Sequence, residues 1–310
     1  MILTVGTRGS KLSLIQTNNV LASLQVLHPE LTFKVKVIKT LGDKEQNLSL
    51  FSLDRKGIFE KEIDLAIEKG EVDFAVHSLK DVPILEQSQT TIAAIPKRNS
   101  PNDVLISRDK VSLAKLQKGA VIGTSSLRRM AQVKHLRSDL EAKPIRGNVD
   151  TRIQKIKRGE FDALIVAEAG LNRMKLENQI TERFSLETFA PSAGQGALAI
   201  AAKKDNKKVI NILESINHAP SRAEVTAERS LVLSLEGGCR VPIGAIGRAC
   251  GDKMSFYGCV FSLDGKKKIF SSAEGKLEDA NDLGRQVAQS LLGQGAKELE
   301  AEWREKYGTW

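Results

Sequence analysis

Pro191-Ser192-Ala193-Gly194-Gln195-Gly196, followed by Ala197-Leu198-Ala199-Ile200-Ala201-Ala202, is the stretch on which the domain plan turns. Proline, serine and two glycines break regular structure, and the apolar run after them reads as a buried strand. We read that strand as returning to a sheet begun near the N-terminus, so the first domain is discontinuous. Upstream, Pro96-Lys97-Arg98-Asn99-Ser100-Pro101 is polar and bracketed by prolines, and serves as the outward crossing. The two crossings predict a first lobe over 1–96 and 197–216, a second over 97–196, and a third domain over 217–310.

Working outward, short apolar runs alternate with helical patterns. In the first lobe, strands are expected over 2–5, 72–76 and 91–95, a half-wet strand through Phe33, Val35 and Val37, and helices over 11–27 and 57–69. In the second, strands over 120–123 and 163–166 alternate with helices over 126–136 and 148–157 and one through Leu171. After His218-Ala219-Pro220 the pattern changes to a helix over 223–235, Gly237-Gly238, three strand-like runs and one long final helix over 278–303. The expected fold is α/β, with mostly parallel sheets in two lobes around a cleft, plus a smaller α+β C-terminal domain.

Composition narrows the function. The first residues lack a basic segment leading into a long apolar one, and no run approaches a membrane span, so a cytoplasmic chain without membrane partner is expected. Three cysteines, Cys239, Cys250 and Cys259, form no CxxC pair, and four histidines lack ligand spacing; neither a disulfide framework nor a metal site is expected. Cys250 and Cys259 read as buried small hydrophobes. The net charge of +9 calls for an anionic partner. Residues 121–158 alone carry ten basic and three acidic residues, and no aromatic side chain interleaves them. Single-strand nucleic-acid surfaces usually stack bases on such rings, which lowers the nucleic-acid reading and leaves a phosphate-only contact open.

Several loops bear chemistry. Gly6-Thr7-Arg8-Gly9-Ser10 joins a strand to a helix, as an anion site or a plain turn and cap. Gly123-Thr124-Ser125-Ser126-Leu127-Arg128-Arg129 repeats that logic, and capping alone does not need two arginines. Arg146-Gly147-Asn148-Val149-Asp150-Thr151-Arg152 is a third such junction. Val76-His77-Ser78-Leu79-Lys80-Asp81-Val82-Pro83 follows a strand. A carboxylate there would stabilise a cationic intermediate and exchange protons with it; the plainer alternative is a solvent-exposed turn, with His77 a packing residue. Glu236-Gly237-Gly238-Cys239-Arg240 places a sulfur beside two glycines and an arginine, as a reactive thiol or a buried one.

Together and in this order, these stretches resemble porphobilinogen deaminase (hydroxymethylbilane synthase). Lys56-Gly57-Ile58-Phe59, Ala169-Gly170-Leu171-Asn172-Arg173 and Gly194-Gln195-Gly196-Ala197 extend the resemblance over most of the chain. It implies two lobes like type II periplasmic binding proteins and a dipyrromethane cofactor tied by a thioether to Cys239. It also implies stepwise deaminative condensation of four porphobilinogen molecules, then hydrolytic release of linear hydroxymethylbilane, in heme biosynthesis. Asp81 matches the catalytic carboxylate. Arg8, Ser10, Ser78, Lys80, Thr124, Ser125, Ser126, Arg128, Arg129, Arg146, Gly147, Arg152 and Arg173 match positions that bind cofactor and substrate carboxylates. Gln16, Lys56, Phe59 and Gln195 match the cleft loop and substrate vicinity. A monomer without metal or nucleic acid is implied.

Some positions depart from the family pattern: Thr4, Asp54-Arg55, and Glu168, whose charge is expected to weaken or retune binding at Arg173. Two other functions share some of these features. One is a two-lobed binding protein for small polycarboxylates, the other a nucleic-acid binder using the basic segment.

Overall fold

The computed structural model describes residues 1–40, 60–84, 89–235 and 242–307. In chain order these form β1 (Ile2–Thr7), α1 (Lys11–Leu27), β2 (Thr32–Val37), α2 (Lys61–Glu68), β3 (Phe74–Ser78), β4 (Thr90–Ala94) and β5 (Asp103–Ser107). Next come β6 (Val121–Gly123), α3 (Leu127–Leu136), β7 (Glu141–Lys143), α4 (Val149–Lys157), β8 (Ala163–Ala167), α5 (Glu168–Met174) and β9 (Glu182–Arg183). The chain continues through β10 (Leu198–Lys203), α6 (Lys207–Glu214), α7 (Ala219–Ser234), β11 (Ile243–Cys250), β12 (Lys253–Phe261), β13 (Lys268–Lys276), α8 (Ala280–Gly293) and α9 (Ala296–Tyr307).

Contacts divide the described residues into two compact units. The first runs to Asn99 and resumes over Gly196–Arg222; the second comprises Ser100–Gln195 and the residues from Ala223 onward. The first unit holds a five-stranded sheet in the order β2-β1-β3-β10-β4. Within the second, a five-stranded sheet follows the order β7-β6-β8-β5-β9. These orders are the same topology used twice. In each, the fourth position is taken by a strand entered directly from a crossing, β10 in one and β5 in the other, and that strand runs antiparallel to both neighbours. The sheets are therefore mixed, with four strands pointing one way and one against them.

The inner strands of each sheet are buried because their residues are apolar on both faces, while the edge strands β2 and β7 are largely exposed. Leu3, Val5, Phe74, Val76, Ile200 and Ala202 pack against Val20 and Leu24 of α1 and Val209 and Leu213 of α6. On another cluster, Ala75 and Ala201 meet Ile63, Ala66 and Ile67 of α2. In the second unit Leu105, Ile122 and Ile165 pack with Val133 of α3, and Val104, Leu164 and Val166 with Ile153 and Ile156 of α4. Burying such side chains contributes roughly 1.5–3 kcal/mol each, the main force on the fold.

The second unit also carries the antiparallel meander β11-β12-β13. Its Cys259 and Phe261, with Trp303 of α9, form one core with Leu127 and Ala131 of α3. The expected single final helix is instead two. Gly295 takes φ +95° after α8, a left-handed conformation that interrupts the helix and redirects α9. Trp303 then donates its indole N–H to the Phe261 carbonyl at 2.9 Å. Cys250 ends β11 at a turn and is exposed, contrary to the sequence reading, whereas Cys259 is buried. Burial pushes the Cys259 thiol up to about 11, so it is inert at neutral pH.

Candidate active site

In the first unit, β1 and β3 lie side by side and parallel, with Val5 opposite Phe74 and Gly6 opposite Ala75. Parallel neighbours end at the same sheet edge, so Arg8–Ser10 and Ser78–Asp81 emerge together although some seventy residues apart. Ser10 caps α1, its Oγ accepting the Ser13 N–H at 3.2 Å. The buried Gln16 reaches from α1 to donate its Nε2 hydrogen to Ser78 Oγ at 3.1 Å. Leu79 N–H donates to the Ala197 carbonyl at 3.0 Å, which anchors a single 3-10 turn over Leu79–Asp81. That turn leaves Lys80 half-buried and Asp81 exposed.

His77 lies within β3 rather than after it, because the strand runs two residues further than expected. It is buried, with Nε2 3.9 Å from Asp64 Oδ1 of α2. Burial, with the Arg8 charge adding to it, pushes the imidazole down to about 4. The Asp64 carboxyl is pushed up to about 6, by burial first and by Glu68 second. His77 is therefore uncharged at neutral pH.

In the second unit, β7, β6 and β8 are adjacent and parallel, so three loops share one edge. Thr124–Ser126 follows β6. Thr124 Oγ1 accepts the Ser126 N–H at 3.2 Å, and Ser126 caps α3 by accepting the Arg129 N–H. Ser125 Oγ donates to the Ile145 carbonyl at 2.8 Å and accepts the Ile145 N–H at 3.1 Å, which fixes the loop just before Arg146. Gly147 has φ +107°, and a Cβ there would sit 2.8 Å from the Thr151 side chain. Only glycine fits, and its carbonyl accepts from Arg152 Nε at 2.8 Å. Arg152 is pushed down to about 10 by burial first, then by the like charges of Arg129 and Arg146. Arg173, in the last turn of α5 after β8, is pushed down to about 10 by burial. Arg152 thus holds a buried positive charge near those of Arg129 and Arg146 beside hydroxyl-rich loops, a chemistry suited to carboxylates.

Arg128 and Arg129 are buried and turned toward Asp103, the fully buried first residue of β5. Arg129 donates to Asp103 Oδ1 from Nε at 3.0 Å and from Nη2 at 2.7 Å, and to the Ile165 carbonyl from Nη1 at 3.0 Å. Arg128 Nη2 lies 2.8 Å from Asp103 Oδ2, and its Nη1 donates to the Ala190 carbonyl. Gln195 Nε2 donates to Asp103 Oδ1 at 3.1 Å and to the Pro101 carbonyl at 2.7 Å. Glu168, expected to act on Arg173, has its Oε1 ion-paired with Arg183 and its Oε2 accepting from Ser100 Oγ at 2.6 Å. The predicted residues Lys56, Phe59 and Cys239, like Asp54-Arg55, lie outside the described residues.

Comparison with known proteins decides the family. Residues 3–211 match the family model described as porphobilinogen deaminase, dipyromethane cofactor binding domain. Residues 222–293 match porphobilinogen deaminase, C-terminal domain. The chain belongs to the porphobilinogen deaminase family. A probable porphobilinogen deaminase of Nitrosopumilus maritimus is 45% identical over 99% of this chain and 98% of its own. The porphobilinogen deaminase of Brevibacillus brevis is 44% identical over 96% of each. Among solved structures, substrate-binding domain 2 of Lactococcus lactis GlnP has a TM-score of 0.41 at 15% identity, covering 69% of this chain and 87% of that one.

This deaminase is therefore a transferase of porphyrin biosynthesis whose first family domain binds the dipyrromethane cofactor. The residues present fit that group. Dipyrromethane carries carboxylates, and the guanidinium of Arg152, with the charges of Arg129 and Arg146 acting on it, is chemically matched to them. Asp103 and Asp64 escaped the sequence reading: Asp103 lies about 25 residues from the arginine pair, and Asp64 stands among Glu60, Glu62 and Glu68 on the expected helix, with nothing local to single it out. The one available signal for Asp103 was a carboxylate opening an apolar run, Val104–Ile106, beside an unexplained arginine pair.

Proposed function

We propose that the enzyme condenses four porphobilinogen molecules one at a time and releases hydroxymethylbilane, with Asp81 as catalytic carboxylate and Cys239 as the thioether attachment point. The observation that supports this reading is the arginine cluster after β6 and β7: burial first, then the charges of Arg129 and Arg146, lower Arg152, and bound carboxylates offset those like charges. Each porphobilinogen carries an acetate and a propionate, so every addition brings two negative charges. A hydrogen bond to a charged group contributes roughly 1.5–3 kcal/mol, and several hold a growing chain between additions. Arg8, Ser10, Ser78, Lys80, Thr124, Ser125, Ser126, Arg128, Arg129, Arg146, Gly147, Arg152 and Arg173 share this task, with Gln16, Lys56, Phe59 and Gln195 near the incoming substrate.

Asp81 acts where charge develops. Ammonia leaves the aminomethyl carbon with its bonding pair, which makes the pyrrole cationic; an exposed carboxylate on a fixed turn stabilises that cation through the pyrrole N–H. The bound dipyrromethane supplies the pyrrole carbon that forms the new bond. Asp81 then takes up the proton lost as the ring regains aromaticity. The reading includes three domains over 1–96 with 197–216, 97–196 and 217–310, and a cytoplasmic monomer without metal or nucleic acid.

Intact mass spectrometry tests it. Wild-type protein made in cells supplied with substrate should exceed its sequence mass by two pyrrole units, and Cys239→Ser should not. Normal loading of Cys239→Ser refutes the attachment point. Asp81→Ala should keep its melting temperature and lose turnover by about 10²-fold or more; near-normal turnover refutes the role of Asp81. Reversible uptake of porphobilinogen without ammonia release would instead identify a binding protein.

A further inference from the structure

Asp103 has no place in the chemistry above, yet it is a fully buried carboxylate of the second unit. It receives both members of the arginine pair and the Gln195 amide. Two buried guanidinium groups against one carboxylate leave a single net positive charge. Breaking a buried pair by removing one partner is costly, so an acid in this position fixes both arginines tightly.

The geometry of Arg129 shows what is fixed. A guanidinium has five N–H groups. Nε, Nη1 and both Nη2 donors of Arg129 go to Asp103, the Ile165 carbonyl and Gln195 Oε1, which lies 3.4 Å away. One donor, on Nη1, remains beyond these. Arg128 has its Nη groups on Ala190 and Asp103, and its buried Nε meets no acceptor among the described residues. Arg129 is also felt as a like charge by Arg152, so its positive charge reaches the anion-binding cluster.

We infer that Asp103 is a positioning residue for substrate binding: it holds Arg128 and Arg129 in one orientation and cancels one of their two charges, so the pair presents a directed single charge to a substrate carboxylate. This rests on the assignment of the arginine cluster to the substrate carboxylates. Asp103→Asn keeps the volume and leaves an oxygen for Arg129 but turns an amide N–H toward Arg128 Nη2. Arg128 then faces a donor in place of its acceptor and swings away, and the charge beside Arg129 rises.

The test is steady-state kinetics with porphobilinogen, normalised to the cofactor-bearing fraction found by intact mass. Asp103→Asn should raise KM at least tenfold while kcat stays within about threefold. Asp103→Glu, which keeps the charge and shifts the carboxylate by one methylene, should raise KM about threefold and covers the case in which Asp103→Asn does not fold. Arg152→Gln serves as the reference and should raise KM by itself. A lower melting temperature with unchanged KM in both Asp103 variants, beside a raised KM in Arg152→Gln, makes Asp103 purely structural and overturns the inference. A fall in kcat with unchanged KM also overturns it. If Arg152→Gln leaves KM unchanged as well, the carboxylate-binding reading of the cluster fails instead.

Discussion

Replacing His77 by Gln should make the protein more tolerant of acid, and the structure sets the amount. The imidazole is held down to about 4 by burial and by Arg8, against an ordinary value of 6.5. A base depressed in the folded state is neutral there and charged in the unfolded chain between those values. Its contribution is therefore intact above pH 6.5 and is lost as pH falls toward 4. At pH 5 the unfolded imidazole is protonated about thirtyfold over neutral while the folded one is hardly protonated, which costs the wild type about 2 kcal/mol. Asp64 has the opposite sign. Its carboxyl, raised from 3.8 to about 6, takes up a proton in the folded state and adds stability as pH falls through 6. The charged groups facing this pair are Arg8 from the loop after β1 and Glu68 on α2. Urea denaturation of wild type and His77→Gln at pH 7.5 and pH 5 isolates the histidine, since Asp64 is common to both. The wild type should lose about 2 kcal/mol relative to the variant between the two pH values. A constant difference would refute the reasoning, because it would mean His77 titrates alike in both states.

Two further outcomes follow from the loops of the second unit. Gly147→Ala places a Cβ 2.8 Å from Thr151 at φ +107°, so it should cost about 1–3 kcal/mol and raise KM, read by thermal melting and by kinetics with porphobilinogen. Ser125→Ala removes both hydrogen bonds that fix Ile145; KM should rise about three- to tenfold with kcat little changed, and an unchanged KM would show that Arg146 is positioned without them.

The sequence by itself determined where the chain breaks and where its polar loops stand. The two compact units divide after Asn99 and after Gln195, within stretches rich in proline, glycine and serine, residues that act on the backbone within a few positions. For the same reason the loops after β1, β3, β6 and β7 were found in place: a strand, a glycine or hydroxyl turn and a helix start are local signals. Tertiary structure alone decided what the arginines do. Arg128 and Arg129 are both anchored on Asp103, about 25 residues away on a strand the pattern did not reveal. It likewise decided that Glu168 pairs with Arg183, that His77 sits against Asp64, and that the last helix is two. Backbone geometry is set by neighbours along the chain. The partner of a buried charge is set by which distant strands the core brings side by side, and no local pattern records that.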